Sequence, residues 1–185
     1  TCVNNCSFSV VCGNQPTGNY DCERPIPAAV STLAQFNNTF GASQGQNPCH
    51  PIKMKVIEDS NFNPCTSIQY DRTYRIYQDD NGNGQYDNGE PKVDCIKTYI
   101  WFRDQTLPHY SCDPQVPVLI GCRNNGPTAQ DAITAAGYTD NCTATNQLTI
   151  VATPQDITST TPCSKIQNWK VEATDACGNH ATVIV

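Results

Sequence analysis

Twelve cysteines fall within 185 residues, and no two of them are spaced as C-x2-C. That density limits what the chain can fold into. Zinc ribbons and fingers need closely spaced ligand pairs, and the three histidines (His50, His109, His180) are scattered. Disulfides are the remaining use for so many cysteines, and they persist in oxidising compartments outside the cytosol. The chain is expected to be extracellular, with covalent staples supplementing its core.

Comparing the chain with itself shows where the staples recur. Cys12 and Cys112 lie a hundred residues apart, as do Cys22 and Cys122. Cys49 then matches Cys142, Cys65 matches Cys163, and Cys95 matches Cys177. "RTYRIYQD", ending at Asp79, corresponds to "QNWKVEATD", ending at Asp175. The chain therefore reads as two divergent copies of one module, residues 1–107 and 108–185, divided near "RDQTLP". Modules of this size bury little surface, so disulfides are a reasonable supplement.

Cys22, Cys49, Cys65 and Cys95 form one expected intramodule set, and Cys122, Cys142, Cys163 and Cys177 the matching one. The pairing within each set is open. Seven cysteines precede Pro108 and five follow it, so they cannot all pair within modules. Either Cys112 or a neighbour bridges the modules, or one cysteine on each side pairs elsewhere or stays free.

Thr, Asn, Gln, Gly and Pro are abundant and strong helix formers scarce, which points to an all-β chain with many turns. "YDRTYRIY" sets Tyr70, Arg72, Tyr74 and Ile76 against Asp71, Thr73, Arg75 and Tyr77, a strand pattern. "VDCIKTYIWF" follows as a second strand. "IPAAVSTLAQFNNTF" spaces Ile26, Val30, Leu33 and Phe40 near a helical period. One short helix per module fits that spacing, and an irregular loop over the core fits it equally. Charged residues are 15% and the net charge is −6, with no basic stripe, so a nucleic-acid partner is not expected. No run approaches a membrane span. The chain begins at Thr1 and its single methionine, Met54, is internal, so a processed piece of a longer secreted chain is expected.

"DDNGNGQYDNGE" carries a specific chemical signal. With Asp79 at position 1, Asn81, Asn83, Gly84, Asp87 and Glu90 occupy positions 3, 5, 6, 9 and 12 of a calcium loop. Gln85 stands at position 7, where a backbone carbonyl serves. Calcium takes six to eight hard oxygens, and a glycine at position 6 permits the sharp bend that gathers them. Starting at Asp80 puts Gly82 at position 3 and fails the pattern. A polar hairpin loop is the plain alternative, since Asn83-Gly84 is a strong turn dipeptide. In the second copy Asp175 runs through a short "DACGN" turn, so the twelve-residue loop reads as an insertion at a hairpin tip. Two ligand positions are Asn, so affinity is expected in the extracellular range of about 0.1 to 1 mM.

"YTDNC", Cys163, "WKVEATDACGN" and a closing strand resemble the HYR-like modules, Ig-like β-sandwiches repeated in large surface proteins of Bacteroidota. The family's turn reads T-D-x-C-G-N, and its modules are joined by a V-x-D-x-T-x-P-like segment, where this chain has "WFRDQTLP". The second copy matches from about Gly121 to Val185; the first departs at "NPC" and at the long loop. The resemblance implies tandem Ig-like β-sandwich modules in a secreted adhesin or cell-surface filament used for gliding or attachment, exported by the type IX route. Its partners would be neighbouring modules or identical chains in a fibre, and no catalytic residues come with it.

Function then divides into a structural or adhesive stalk, stabilised by calcium and disulfides, and a module binding glycans or proteins. For glycans, Tyr74, Tyr77, Trp101 and Trp169 are the available stacking residues, although aromatics alternating in a sandwich are more often core. An enzyme is not expected: no H-E-x-x-H motif occurs and the acidic residues concentrate in the calcium-type loop.

Overall fold

Thr32 and Thr128 each start a helix in the same way. Thr32 Oγ1 accepts the Gln35 amide at 3.2 Å, and Gln35 Oε1 accepts the Thr32 amide at 3.3 Å. Thr128 and Asp131 repeat the exchange at 3.2 and 2.9 Å. Each reciprocal pair satisfies two helix donors that have no partner inside the helix. The helices are α1 (Leu33–Phe40) and α2 (Ala129–Ala136), and both stop at a left-handed glycine, Gly41 or Gly137. Eight residues are too few for a stable isolated helix, so each depends on the face it buries.

The computed structural model of the chain describes residues 7–45, 48–113, 126–161 and 164–185. They divide into two compact units between Arg103 and Asp104, four residues before the expected boundary. Asp104 itself accepts the Thr106 amide, and its carbonyl accepts from Asn179, which ties it to the second unit.

In the first unit β1 (Val10–Val11) pairs with β3 (Ser43–Gln44), and β2 (Asn19–Tyr20) runs parallel to the last strand. The main sheet is an antiparallel meander of β4 (Ile52–Asp59), β5 (Gln69–Gln78) and β6 (Lys92–Trp101), in the order β2-β6-β5-β4. The second unit repeats helix then meander, with β7 (Thr149–Thr161), β8 (Ser164–Thr174) and β9 (His180–Ile184) in sequence order. The fold is mainly β. Among the described residues each unit has one main sheet backed by its helix, and β1–β3 is the only other ribbon.

The alternation of β5 is as expected: Tyr70, Arg72, Tyr74 and Ile76 are buried. Arg72 is held there by Asp59 at 2.9 Å, the Tyr70 hydroxyl and the Pro27 carbonyl, which keep its guanidinium charged despite burial. On β6, Cys95, Lys97, Tyr99 and Trp101 face the core. Phe36, Phe40, Ala42, Tyr74, Ile76 and Cys95 form the first core. Ala132, Ala136, Tyr138, Leu148, Val171, Ala173 and Val183 form the second.

The cysteine sets need correction. Cys95 pairs with Cys12, from outside its expected set. The reason is local: Cys95 points inward, and Lys97, two residues along the same face, donates from Nζ to the Cys12 and Asn14 carbonyls at 2.6 and 2.7 Å. Bridge and lysine together fix the Cys12–Asn14 segment on β6. Cys112, offered as one candidate for a bridge between the modules, is a free thiol packed as a small apolar group against the second core, which agrees with the alternative that one cysteine stays free. Burial pushes its pKa up.

Strand pairing explains why the hundred-residue match misleads. Val11 pairs with Ser43 as His109 pairs with Thr139, two residues beyond the glycine that ends each helix. The residue after Val11 is Cys12, and the residue after His109 is Tyr110. Tyr74 faces Cys95 across the sheet as Val171 faces Val183. The second unit thus has Tyr110 and Val183 where the first has its disulfide. Cys177 lies in the β8–β9 turn and is not the equivalent of Cys95. Cys22, Cys49, Cys65, Cys142 and Cys177 are also disulfide-bonded. Cys122 and Cys163 lie outside the described residues.

These disulfides fit an oxidising, extracellular environment. Among the described residues no helix is long and apolar enough to cross a membrane, which leaves strand-crossing barrels unaddressed.

Candidate calcium loop between β5 and β6

The two longest strands of the first unit hold the loop at both ends. Tyr77 pairs with Lys92, and the Gln78 amide donates to the Pro91 carbonyl at 3.0 Å. The Asp79 amide donates to the Pro51 carbonyl at 2.9 Å, which anchors the loop's first residue to the start of β4. The candidate ligands therefore sit at a hairpin tip, between strands and without a flanking helix.

Asp79 is the residue that distinguishes this loop from a soft turn. It is 2% exposed. Its Oδ2 accepts the Gly84 amide at 2.9 Å, while its Oδ1 is buried with no hydrogen-bond partner. A buried carboxylate oxygen without a partner is costly, and a cation is one way to satisfy it. Gly84 makes this geometry available, because its φ of 78° is a conformation few other residues adopt.

The other ligand positions are drawn together by their own hydrogen bonds. Asn81 Oδ1 accepts the Asn83 amide at 3.0 Å, and Asn83 Oδ1 accepts the Gln85 amide at 2.7 Å. Both asparagine side chains donate to Asp87 Oδ2 at 2.7 Å. Glu90 closes the loop, its two oxygens accepting the Asp80 and Asp87 amides at 2.9 Å each. Asp79, Asn81, Asn83, Gln85, Asp87 and Glu90 thus belong to one hydrogen-bonded loop. Asp79 alone is deeply buried, and Gln85 is exposed.

Tyr77 reports the negative field of the loop. Burial first, then the charges of Asp79, Glu90 and Asp87, push its pKa up. Its hydroxyl donates to the Gly84 carbonyl at 2.9 Å, so its burial breaks the strict alternation of β5 in order to brace the loop. Tyr86 does the same from inside the loop. Its ring takes Arg75 at 4.6 Å, Lys92 at 5.2 Å and Lys55 at 5.5 Å, and meets Tyr77 edge-on. Sequence reasoning offered Tyr77 only as a strand residue and a sugar-stacking candidate, and passed over Tyr86. The available signal for Tyr86 was an aromatic residue inside an otherwise polar loop.

One hydrolase-like spelling does occur. Gly41-Ala42-Ser43-Gln44-Gly45 reads G-x-S-x-G. A nucleophile elbow runs from strand to helix through its serine. Here the order is reversed, since the segment leaves α1 and enters β3, with Ser43 paired to Val11. The expected sugar-stacking residues are core: Tyr74 is 0%, Tyr77 2% and Trp101 7% exposed, and Trp169 is half-buried.

Comparison with protein-family models, with curated proteins and with solved structures finds no match to this chain.

Proposed function

We propose that the chain is a structural and adhesive segment of a secreted bacterial surface filament, built from Ig-like modules of the HYR-like kind, with calcium bound by Asp79–Glu90. The partnerless, buried Asp79 oxygen in a loop of calcium-ligand spacing carries the calcium part of this reading. Repetition, disulfides and two independent cores support the structural part. The loop closes the longest hairpin of the first unit, so an ion there would stiffen a sheet rather than drive chemistry. No catalytic role is proposed. Burial of Tyr74, Tyr77 and Trp101 counts against the glycan-binding alternative.

The test is a thermal melt of the oxidised chain in 10 mM calcium and in chelator. For a Kd of about 0.1 to 1 mM, calcium should add about 1.4 to 2.7 kcal/mol to the stability of the first unit. Glu90→Ala should abolish that increment while leaving the melt in chelator nearly unchanged. A calcium shift of the same size in Glu90→Ala would remove the loop as the binding site. Attachment to a cell surface is checked separately, by labelling the parent chain on intact cells.

A further inference from the structure

Two aspartates far apart in sequence, Asp104 and Asp175, meet in the second unit, and Asp140 adds its charge nearby. Asp104 is only 9% exposed, with Oδ1 on the Thr106 amide at 3.0 Å and Oδ2 buried without any partner. Asp140 uses Oδ2 for the Cys142 and Thr143 amides at 2.9 and 2.7 Å, and its Oδ1 is likewise buried and partnerless. Asp175, 7% exposed, accepts the Cys177 and Asn179 amides on Oδ1 and Asn179 Nδ2 on Oδ2, all at 2.8 Å. Thr143 Oγ1 accepts the Ala176 amide at 3.1 Å, which locks the Asp140 turn to that of Asp175.

One ligand atom from each of Asp104, Asp175 and Cys177 lies within 4.8 Å of the others. Oxygens bound to one calcium at 2.3–2.6 Å lie no more than about 5 Å apart, so this separation suits a shared ion. Cys177 is disulfide-bonded and offers no thiolate, which leaves an all-oxygen set and excludes the soft-metal chemistry of cysteine sites. Among the described residues no lysine or arginine pairs with any of the three carboxylates.

We propose that Asp104 and Asp175 form the core of a second cation site, of calcium type, within the second unit. The buried, partnerless oxygen of Asp104 and the neighbouring Asp175 carboxylate are its ligands, and Asp140 adds negative charge nearby. Asn179 holds the set together by donating to Asp175 and, at 3.4 Å, to the Asp104 carbonyl. Burial, and then the charges of Asp140 and Asp175 and the side-chain contact with Asp175, push the Asp104 pKa up against the opposing Thr106 amide. This site does not rest on the β5–β6 loop.

The experiment is calorimetric titration of the full oxidised chain with calcium chloride at neutral pH. The double variant Asp79→Asn/Glu90→Ala, whose second unit is untouched, should still take one equivalent of calcium. A folded double variant that binds none overturns the second site, whatever the wild-type chain does in its first unit. Adding Asp104→Asn to that background should weaken the remaining binding at least tenfold. Unchanged binding in that triple variant also overturns the proposal. If Asp104→Asn prevents folding, Asp175→Asn, whose amide oxygen can still accept the Cys177 and Asn179 amides, gives the same reading.

Discussion

The two units solve one packing problem with the bulk in opposite places. In the first, the helix supplies Phe36 and Phe40, and the residue after its terminal glycine is Ala42. In the second, the corresponding helix positions are Ala132 and Ala136, and the residue after Gly137 is Tyr138. The tyrosines then complement each other. Tyr74 on β5 accepts the Val30 amide through its hydroxyl, whereas Tyr138 donates to the carbonyl of Val171, the strand residue equivalent to Tyr74. A core is conserved in volume rather than in identity, so two copies diverge beyond easy recognition while keeping one meander and one helix.

The disulfide is the sharpest difference, and removing it is the largest expected effect. Cys12 and Cys95 are 83 residues apart, and closing that loop restricts the unfolded chain by an amount equivalent to about 4–5 kcal/mol. Cys12→Ala/Cys95→Val, which copies the valine of the second unit, should destabilise the first unit by that order. Hydrogen exchange of β5 and β6 amides would register it, with β8 and β9 unaffected. Equal loss in both sheets would mean that the units do not fold separately.

Next comes the exchange of bulk. Phe36→Ala should cost about 3–5 kcal/mol, as for other buried aromatics. Phe36→Ala/Ala42→Tyr should recover part of it if the two cores are volume-swapped versions of each other. A double variant less stable than the single one would show that Tyr138 depends on neighbours the first unit lacks. The caps offer a matched pair of smaller effects: Thr32→Ala and Thr128→Ala should each cost about 1 kcal/mol, visible as faster exchange in α1 and α2 respectively.

Acid separates the units most subtly. Hydrogen bonds from Arg75 hold the Asp94 pKa low; for Asp59, burial pulls upward but bonds with Tyr70 and Arg72 outweigh it. A carboxylate with a lowered folded pKa gives stability that is present above its unfolded value, near 3.8, and lost as pH falls through the folded one. Asp104 has the opposite sign. Its raised pKa gives stability that is full below about 3.8 and lost as pH rises through the folded value. Acidification in chelator toward pH 4 should therefore favour the second unit relative to the first. Exchange rates that fall equally in both sheets would contradict this.

How much of this was legible depends on sequence distance. The β5 strand and the twelve-residue loop were readable because each is written in consecutive residues with a period or a spacing. The helix was half-readable: Leu33 and Phe40 belong to it, but Ile26 and Val30 precede its cap, and Phe36, fully buried, drew no notice. The Thr32-to-Gln35 capping box was the stronger signal. Cysteine pairing was misread because equal spacing is no substitute for strand register, which places Cys12 and not Cys112 beside β6. Lys97, fully buried although lysine is a charged type, had no sequence signal, because its three carbonyl neighbours at Cys12, Gly13 and Asn14 are more than eighty residues away in the chain. Asp104 and Asp175 were written in separate segments, and only the fold gathers them.

The Cys12–Cys95 bridge also has a mechanical meaning. A chain pulled from both ends transmits tension through the shortest covalent path, and that path crosses the bridge instead of following the backbone. The sequence separation of 83 between the two cysteines is removed from the extensible contour, a length of roughly 270–300 Å. The calcium-type loop, β4, β5 and the first part of β6 lie inside the bypassed segment. Load applied to the chain therefore passes them by, and a reducing agent would release that hidden length in a single step.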